Sequence, residues 1–411
     1  MFFIMNAFSH REIMRNAFDF LPKKFRKAGT LTPEQIADTG NYPDYFDNQT
    51  KPDAEKKKRD PQWRKYTFYP KGTGTEKLHF FPVGKSHYEK QKLYACMLTR
   101  IAKAFAKGEY EDFVKYMGCF SHAMGDSTQL AHIGPDFKNK WLSQLLPIPD
   151  KPEFASFHYH TTVEAVCGIC APLKKPKCLG VTIPEIVWNV AVDAEKGAAY
   201  CRRFIIPTIQ ALFRNDQKTA EKIAAEPVTV AAQMTLNAVW SVLSMEQNAG
   251  KVKPVDLRTL PAVDEFHDLV YNGKAVLDGN MIPYKGNFLP GVLRIDGKIR
   301  AMPGLGVLPH SGMERARDCF MTFRIPSGVF RRFHALVGMN AEHGHGAVSF
   351  QVELDGKEVW NSGSLTEKDD AVEVDLPLGK AELLTLRVLD ADNGNSFWTN
   401  HAYWGIPELI R

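Results

Sequence analysis

The sequence predicts a multi-domain protein of mixed α and β structure, with a helical N-terminal domain followed by a β-sandwich. Three observations support this fold class. The chain has 411 residues, more than one small core usually accommodates. Apolar residues recur at helical spacing through the first half and alternate at strand spacing in the last third. The predicted boundaries are 1–250 for the helical domain, 251–277 for a linker and 278–411 for the sandwich.

The composition is that of an ordinary globular protein, with 44% hydrophobic and 24% charged residues. A net charge of +5 permits an anionic substrate without requiring one. No stretch approaches the roughly 20 consecutive apolar residues of a transmembrane helix, so no membrane-spanning segment is expected. The amino terminus shows neither a basic n-region nor a cleavage site, so no export signal is visible.

Seven cysteines, an odd number, argue against a dense disulfide framework. Cys167, Cys170 and Cys178 cluster along the chain. We favour a structural disulfide or buried thiols for them, with a metal role as the alternative.

Stripes of apolar residues predict core-facing helices in the first domain. One stripe consists of Leu93, Met97, Ile101 and Phe105 and continues through Phe113, Met117 and Phe120. Another consists of Ala232, Leu236, Val239 and Leu243, with Pro227 expected near the helix start. Residues 51–77 are basic and interrupted by Pro and Gly. They favour a solvated loop over the alternative of a channel for anionic substrate.

Alternating apolar residues predict strands after the linker. The residues that alternate are Val348, Phe350, Val352 and Leu354, then Val372, Val374 and Leu376, then Leu384, Leu386 and Val388. Asp355-Gly356 is typical of a tight hairpin turn. Several short strands with regular turn signals indicate a β-sandwich.

Histidines and carboxylates in the helical half are spaced like metal ligands. His122 and Asp126 are four residues apart, so both lie on one helix face, and His132 follows them. His160 and Glu164 repeat the four-residue spacing. Imidazoles with carboxylates and no thiolate are the usual donors of a catalytic zinc site. A single His-x3-Asp pair is more often a surface ion pair, but the joint pattern favours a metal site.

With these motifs, the chain resembles the zinc-dependent phospholipase C / S1-P1 nuclease family over about residues 5–245. The matching segments are SHREIMRNAFDFL, NYPDYFD, LHFFP, HAMGDSTQLAH and HTTVE. The resemblance implies an all-α domain that holds one zinc ion with His79, His122 and Asp126, and a second with His132, His160 and Glu164. His87 is the alternative to His79.

The resemblance also implies that Asp126 bridges to a third zinc ion, held by His10 and the amino terminus. The family's mature chains begin with Trp, whereas this sequence begins Met1-Phe2-Phe3. We therefore expect two zinc ions, and a third if the mature chain starts elsewhere. Asp44 is the implied general base or water-orienting carboxylate.

The last third resembles the NPCBM family of carbohydrate-binding β-sandwiches, often appended to glycoside hydrolases. The resemblance covers about residues 278–411, from GLGVLPHSGMERARDCFMTFRIP to LRVLDADNGNSFWTNHAYWGIPEL. It implies a galactose-binding-like β-sandwich. Candidate sugar contacts in loop-like positions are His310, Asn395, Trp398 and His401. Core packing is an equal alternative for Trp398, and Trp404 is expected in the core.

Together these features predict a secreted hydrolase, extracellular or periplasmic, that uses zinc to cleave a phosphate ester and binds glycans through its C-terminal domain. The expected substrate is a phospholipid headgroup, as in phospholipase C. The alternatives are a single-strand-preferring nuclease and a catalytically inactive, zinc-containing glycan-binding protein.

Overall fold

The computed structural model describes residues 6–46, 63–67, 90–133, 146, 148–151, 162–163, 166, 168–248, 254–266, 276–277, 279–281, 288–309, 318–342, 344–391 and 400–411. Contacts within the chain divide it into two compact units, Met1–Val252 and Lys253–Arg411. The first unit is helical and the second is an antiparallel β-sandwich. No helix of the described residues is long and apolar enough to cross a membrane.

The described helices of the first unit run in chain order from Asn6 to Asn248. They are α1 (Asn6–Asp19), α2 (Pro33–Asp38), α3 (Tyr42–Phe46), α4 (Trp63–Thr67), α5 (Gln91–Ala106), α6 (Tyr110–Thr128), α7 (Ile183–Cys201), α8 (Ile205–Phe213), α9 (Gln217–Leu243) and α10 (Met245–Asn248). A short 3-10 turn, Thr39–Asn41, joins α2 to α3.

Side-chain caps fix where several helices begin. Thr32 and Gln35 form a reciprocal capping box at the start of α2. The Thr182 hydroxyl accepts the Glu185 N–H at the start of α7, and the Asp216 carboxylate accepts the Thr219 N–H at the start of α9. Each cap satisfies a backbone donor that the first helical turn leaves without a partner.

The helical core surrounds α6, which packs against α1, α5, α7 and α9. The predicted stripe on α5 and α6 is confirmed, because its members are fully buried except for the half-buried Phe105. The second predicted helix also exists, but Pro227 lies inside it. The helix begins at Gln217, where Asp216 caps it, and buried Ala220 and Ala224 continue its inner face beyond the proline.

The segment predicted as a solvated loop contains a short helix, α4. Tyr66 of α4 is buried, its ring packs edge-on against Tyr116, and its hydroxyl donates to the Asp112 carboxylate. Tertiary contacts therefore outweigh the loop-like composition at residues 63–67.

The described residues of the second unit form two main sheets and two small hairpins. Its strands are β1 (Val255–Asp256), β2 (Asp264–Phe266), β3 (Val276–Leu277), β4 (Gly279–Met281), β5 (Phe288–Pro290), β6 (Val292–Ile295), β7 (Lys298–Ala301), β8 (Gly304–Val307), β9 (Asp318–Arg324), β10 (Arg332–Met339), β11 (Val348–Leu354), β12 (Lys357–Leu365), β13 (Val372–Pro377), β14 (Leu383–Asp390) and β15 (Ala402–Ile410). One sheet has the order β13-β10-β15-β8-β3, with β1 also pairing with β15. The other has the order β12-β11-β14-β9-β2.

The predicted strands and hairpin lie where the alternation places them. Val348, Phe350 and Val352 are fully buried on β11, and Asp355 and Gly356, both with positive φ, turn the chain into β12. The core lies between the sheets.

Trp404 lies in that core, as expected. It is fully buried on β15, and its ring packs edge-on against Phe350 of the other sheet at 5.2 Å between centroids.

Residues 251–277, expected to form a linker, contribute three strands to the sandwich. β1 pairs with β15, β2 with β9 and β3 with β8. These strands are only two or three residues long, too short for their alternation to be visible in the sequence.

Candidate metal centre

Five of the predicted site residues converge inside the helical unit. His10 comes from α1, Asp44 from α3, and His122 and Asp126 from successive turns of α6. His132 lies just beyond α6, which ends at Thr128 because Gln129 adopts an extended conformation. Three imidazoles and two carboxylates therefore meet from segments more than 100 residues apart along the chain.

Asp126 lies at the middle of this cluster. Its Oδ2 is 3.4 Å from Nε2 of His122, while its Oδ1 is 3.6 Å from Nε2 of His10 and 3.9 Å from Nε2 of His132. Asp44 approaches from the other side, with Oδ1 3.5 Å from Nε2 of His122. The two oxygens of Asp126 thus face different imidazoles, as those of a bridging carboxylate do.

The cluster is buried, with Asp44 on its open side. His122 is 0% and Asp126 3% exposed, whereas the Asp44 side chain is 24% exposed. This burial excludes the alternative that His122 and Asp126 form only a solvated surface pair. Buried charged groups require mutual compensation or a metal ion.

Glycines allow the surrounding segments to approach α6 closely. A Cβ on Gly125 would lie 2.7 Å from Nδ1 of His10, and a Cβ on Gly40 would lie 2.5 Å from the His10 carbonyl oxygen. A Cβ on Gly118 would lie 2.6 Å from the Thr39 carbonyl carbon. Only glycine permits these distances, so the three positions set the spacing between α1, the Thr39–Asn41 turn and α6.

The backbone fixes the orientation of His122. Its Nδ1 lies 2.9 Å from the Gly40 carbonyl oxygen, which can only accept a hydrogen bond, so Nδ1 carries the proton. Nε2 is then the nitrogen that faces Asp44 and Asp126. The ring also stacks on His10, with 3.8 Å between centroids. An imidazole held by a backbone carbonyl on its far nitrogen is the common arrangement of metal-ligating histidines.

The electrostatics of the metal-free cluster are those of a coupled set of opposite charges. Burial lowers the pKa of His122, but the Asp126 and Asp44 carboxylates outweigh burial and raise it to about 9. Burial raises the pKa of Asp126, but His122, His132 and His10 outweigh it and hold the pKa far below its usual value. The carboxylate is thus ionised at any ordinary pH, as a metal ligand must be.

The donor set fits zinc. Ligand atoms about 2.0–2.2 Å from a tetrahedral zinc ion lie about 3.3–3.6 Å from one another. The four nitrogen–oxygen distances of 3.4–3.9 Å match that spacing better than the roughly 2.7–3.2 Å of direct hydrogen bonds. Donor atoms of His10, Asp44 and His122 also lie within 4.8 Å of one another.

Three of the predicted ligands, His79, His160 and Glu164, lie outside the described residues. So do His310, Asn395 and Trp398 among the predicted sugar contacts. The fourth sugar candidate, His401, is only 3% exposed at the start of β15, which does not fit a direct contact with a bound sugar.

The cysteine cluster is described in part. Cys170 and Cys178 are free thiols, half-buried and exposed respectively, and each donates to a nearby carbonyl oxygen. Cys167 lies outside the described residues.

Sequence patterns did not identify the glycines that shape the site. Gly118 and Gly125 lie seven residues apart in a helix and on its packed side. An isolated glycine in a helical pattern is a recognised sign of close packing. The positions of Gly118 and Gly125 within a helical pattern could therefore have indicated close packing at both residues. Gly40 lies in a turn, and its role depends entirely on tertiary structure.

Comparisons with known proteins place the second unit in a family. Residues 281–410 match the NPCBM/NEW2 domain, so the C-terminal part of the chain carries a domain of this family. A solved CBM51 from Clostridium perfringens GH95, in complex with methyl-galactose, is 22% identical, with a TM-score of 0.32 over 38% of this chain and 100% of that chain. Tandem CBM51 modules of the Streptococcus pneumoniae family 98 glycoside hydrolase Sp3GH98 are 22% identical, with a TM-score of 0.33 over 38% of this chain and 47% of theirs.

A longer structural similarity extends across both units. The alpha toxin from Clostridium absonum is 10% identical, with a TM-score of 0.27, over 97% of this chain and 86% of that chain. No curated protein sequence matches the chain.

Proposed function

We propose that the helical unit is a zinc-dependent phosphate-ester hydrolase, phospholipase C-like in activity, and that the β-sandwich binds glycans. The catalytic proposal rests on one observation: three imidazoles and two carboxylates lie together inside the helical unit, at distances that fit zinc ligands. Such a donor set without thiolate is typical of catalytic rather than structural zinc.

The zinc ligands are proposed as His79, His122 and Asp126 for one ion, and His132, His160 and Glu164 for a second. The bridging geometry of Asp126 supports a third ion at His10. Val163 supports the second set, because it shares a buried cluster with Ala131 and Ile133, the neighbours of His132. Val163 is itself the residue before Glu164.

The proposed chemistry divides roles between metal and protein. Zinc, when bound, lowers the pKa of water toward neutrality and neutralises charge on a phosphodiester. Asp44 is the most exposed carboxylate of the cluster, so we assign it the substrate side, where it orients the attacking water and accepts its proton. His122, held by Gly40, and the buried Asp126 keep the donor atoms in place.

For the C-terminal unit, glycan binding is supported by the NPCBM/NEW2 match. A sugar-binding module would hold the hydrolase at a glycan-bearing surface and raise the local substrate concentration. Such a role fits an extracellular or periplasmic protein. The sugar contacts are proposed at His310, Asn395 and Trp398, with the buried His401 supporting the residues around it.

Zinc content is the first test of the catalytic proposal. We expect the purified chain to contain zinc by elemental analysis and to release phosphorylated headgroups from phosphatidylcholine. Asp126→Ala should lose zinc and nearly all activity, whereas the control Asp193→Ala, at the Lys177 ion pair, should keep both. A protein without zinc would refute the metal centre. Zinc binding without hydrolysis would favour the inactive glycan-binding alternative, and cleavage of single-stranded nucleic acid instead would favour the nuclease.

The role of Asp44 can be separated from ligation. Asp44→Asn should keep its zinc and lower kcat by about 100-fold or more, since a positioned general base contributes about that much. Zinc loss in this variant would show that Asp44 is a ligand, as its distance to His122 also permits.

Glycan binding can be tested on an array with the full chain. We expect a subset of the arrayed glycans to bind and Trp398→Ala to abolish the signal. Unchanged binding in that variant would contradict the assignment of Trp398 as a sugar contact.

A further inference from the structure

Positive charge is concentrated in one short segment of the helical unit. Residues 11–27 contain six Lys/Arg and two Asp/Glu, a net charge of +4, while the entire chain carries only +5. This segment comprises the second half of α1 and the turn that follows it. Its charge is not explained by the metal centre, whose first ligand, His10, precedes it.

The segment forms a pocket of about 470 Å³. We call it the basic pocket and define it by its four cationic lining residues, Arg15, Lys23, Arg26 and Lys27. Phe18 also lines it. A concave surface with cations around an apolar side chain suits a phosphate group attached to an apolar body.

Most of these cations have no carboxylate partner in the described part of the chain. Arg15 pairs with Glu12, but among the described residues no carboxylate forms an ion pair with Lys23, Arg26 or Lys27. The one acid that lines the pocket is Asp19. Burial raises its pKa more than Arg15 and Arg26 lower it, and its single carboxylate cannot balance four cations. The pocket is therefore suited to an external anion.

An exposed aromatic side chain accompanies the basic pocket. Phe20 is 42% exposed and lies in the chain between two pocket-lining residues, Asp19 and Lys23. Cations with an exposed aromatic ring are typical of surfaces that bind anionic membranes, where the ring enters the interface. Single-stranded nucleic acid, the other polyanion, is bound by several aromatic rings that stack successive bases. One phenylalanine does not provide that.

We propose that the basic pocket binds the phosphate of an anionic lipid headgroup, with Phe20 inserted at the membrane interface. The site is separate from the metal centre. None of the residues that line the pocket belongs to the metal cluster. The proposal therefore does not depend on the metal or on catalysis.

The test is co-sedimentation of the full chain with phosphatidylcholine vesicles, with and without phosphatidylglycerol. The variant Lys23→Gln/Arg26→Gln/Lys27→Gln removes three cations from the pocket. The control Arg214→Gln/Lys218→Gln/Lys222→Gln removes three exposed cations around the start of α9. Zinc content and thermal unfolding of each variant establish that the fold is intact.

We expect stronger binding to vesicles that contain phosphatidylglycerol than to vesicles of phosphatidylcholine alone, and weaker binding at high salt. Each cation near an anionic membrane contributes about a factor of five to the affinity. The pocket variant should therefore bind about 100-fold more weakly than wild type, and the control variant nearly as well as wild type. Phe20→Ser should weaken binding while keeping its salt dependence. Equal binding by the pocket variant would overturn the proposal. So would a chain that binds glycerol phosphate or an oligothymidylate through these residues but not the vesicles.

Discussion

Gly125 and Gly40 have no side chains, yet they determine where His10 and His122 lie. At the scale of residues, the sequence made only part of the site visible. His122 and Asp126 could be paired because both lie on one helix, where spacing fixes direction. His10 and Asp44 come from other elements, so their proximity depends on how those elements dock. No local spacing reports that, and only the family resemblance suggested them.

Gly125→Ala should displace His10 while α6 remains helical. The new Cβ would lie 2.7–3.0 Å from His10 and Ile13, so α1 must shift by several tenths of an ångström. We expect zinc affinity to fall about 10- to 100-fold, the range seen when support of a ligand is lost. Titration with a competing chelator measures this.

Gly197→Ala is the matched control on another helix. Its added Cβ meets side-chain atoms of Val230, Met234 and Thr128, at 3.2, 3.3 and 3.5 Å, and no backbone atom is among these nearest neighbours. Zinc affinity should be unchanged there. The same affinity in both variants would contradict the importance of the α1–α6 spacing.

At the scale of elements, tertiary contacts determine secondary structure that composition alone does not predict. The hairpin at Asp355-Gly356 was predictable because its turn chemistry is local. The short helix α4 was not, since its Lys- and Pro-rich surroundings suggest a loop. Tyr66 holds α4 through the Tyr116 ring and the Asp112 carboxylate, which Lys65 also contacts.

Asp112→Asn should destabilise the helical unit at neutral pH but not in acid. Burial raises the pKa of Asp112, yet the hydrogen bonds from Lys65 and Tyr66 outweigh burial and leave it below its usual value. A carboxyl group whose pKa is lower in the folded state than in the unfolded state, where it is about 3.9, stabilises the fold at pH values above the unfolded-state pKa. This stabilisation is lost as the pH falls through the folded-state pKa.

The variant should therefore be about 1 kcal/mol less stable at pH 7, and the difference should close below about pH 4. Urea unfolding of both proteins at several pH values measures this difference. If the difference in unfolding free energy persisted in acid, the variant would be destabilised by altered packing rather than by the loss of the Asp112 charge.

At the scale of the whole molecule, the change of hydrophobic period predicted both units correctly in kind. It could not reveal β1, β2 and β3, because these strands are too short to show a period. The two units also differ in what we expect to stabilise them. The proposed metal lies entirely within Met1–Val252.

Removal of zinc should therefore act on one unit only. Without metal, the cluster keeps charged groups buried at a cost in free energy, and a ligand that binds the folded state stabilises it by mass action. Calorimetry of the full chain with and without chelator should show a lower transition temperature for the helical unit and an unchanged one for the sandwich. A shift of both transitions would contradict this separation.

The wide sequence separation of the clustered residues has a kinetic consequence. His10, Asp44 and the segment His122–His132 can meet only after α1, α3 and α6 have docked, so the complete site cannot exist early in folding. Zinc should then slow unfolding strongly and leave the refolding rate almost unchanged. The metal would stabilise a unit that has already assembled. Resistance to proteolysis over hours would therefore depend on the metal, whereas the rate of folding during biosynthesis would depend on it much less.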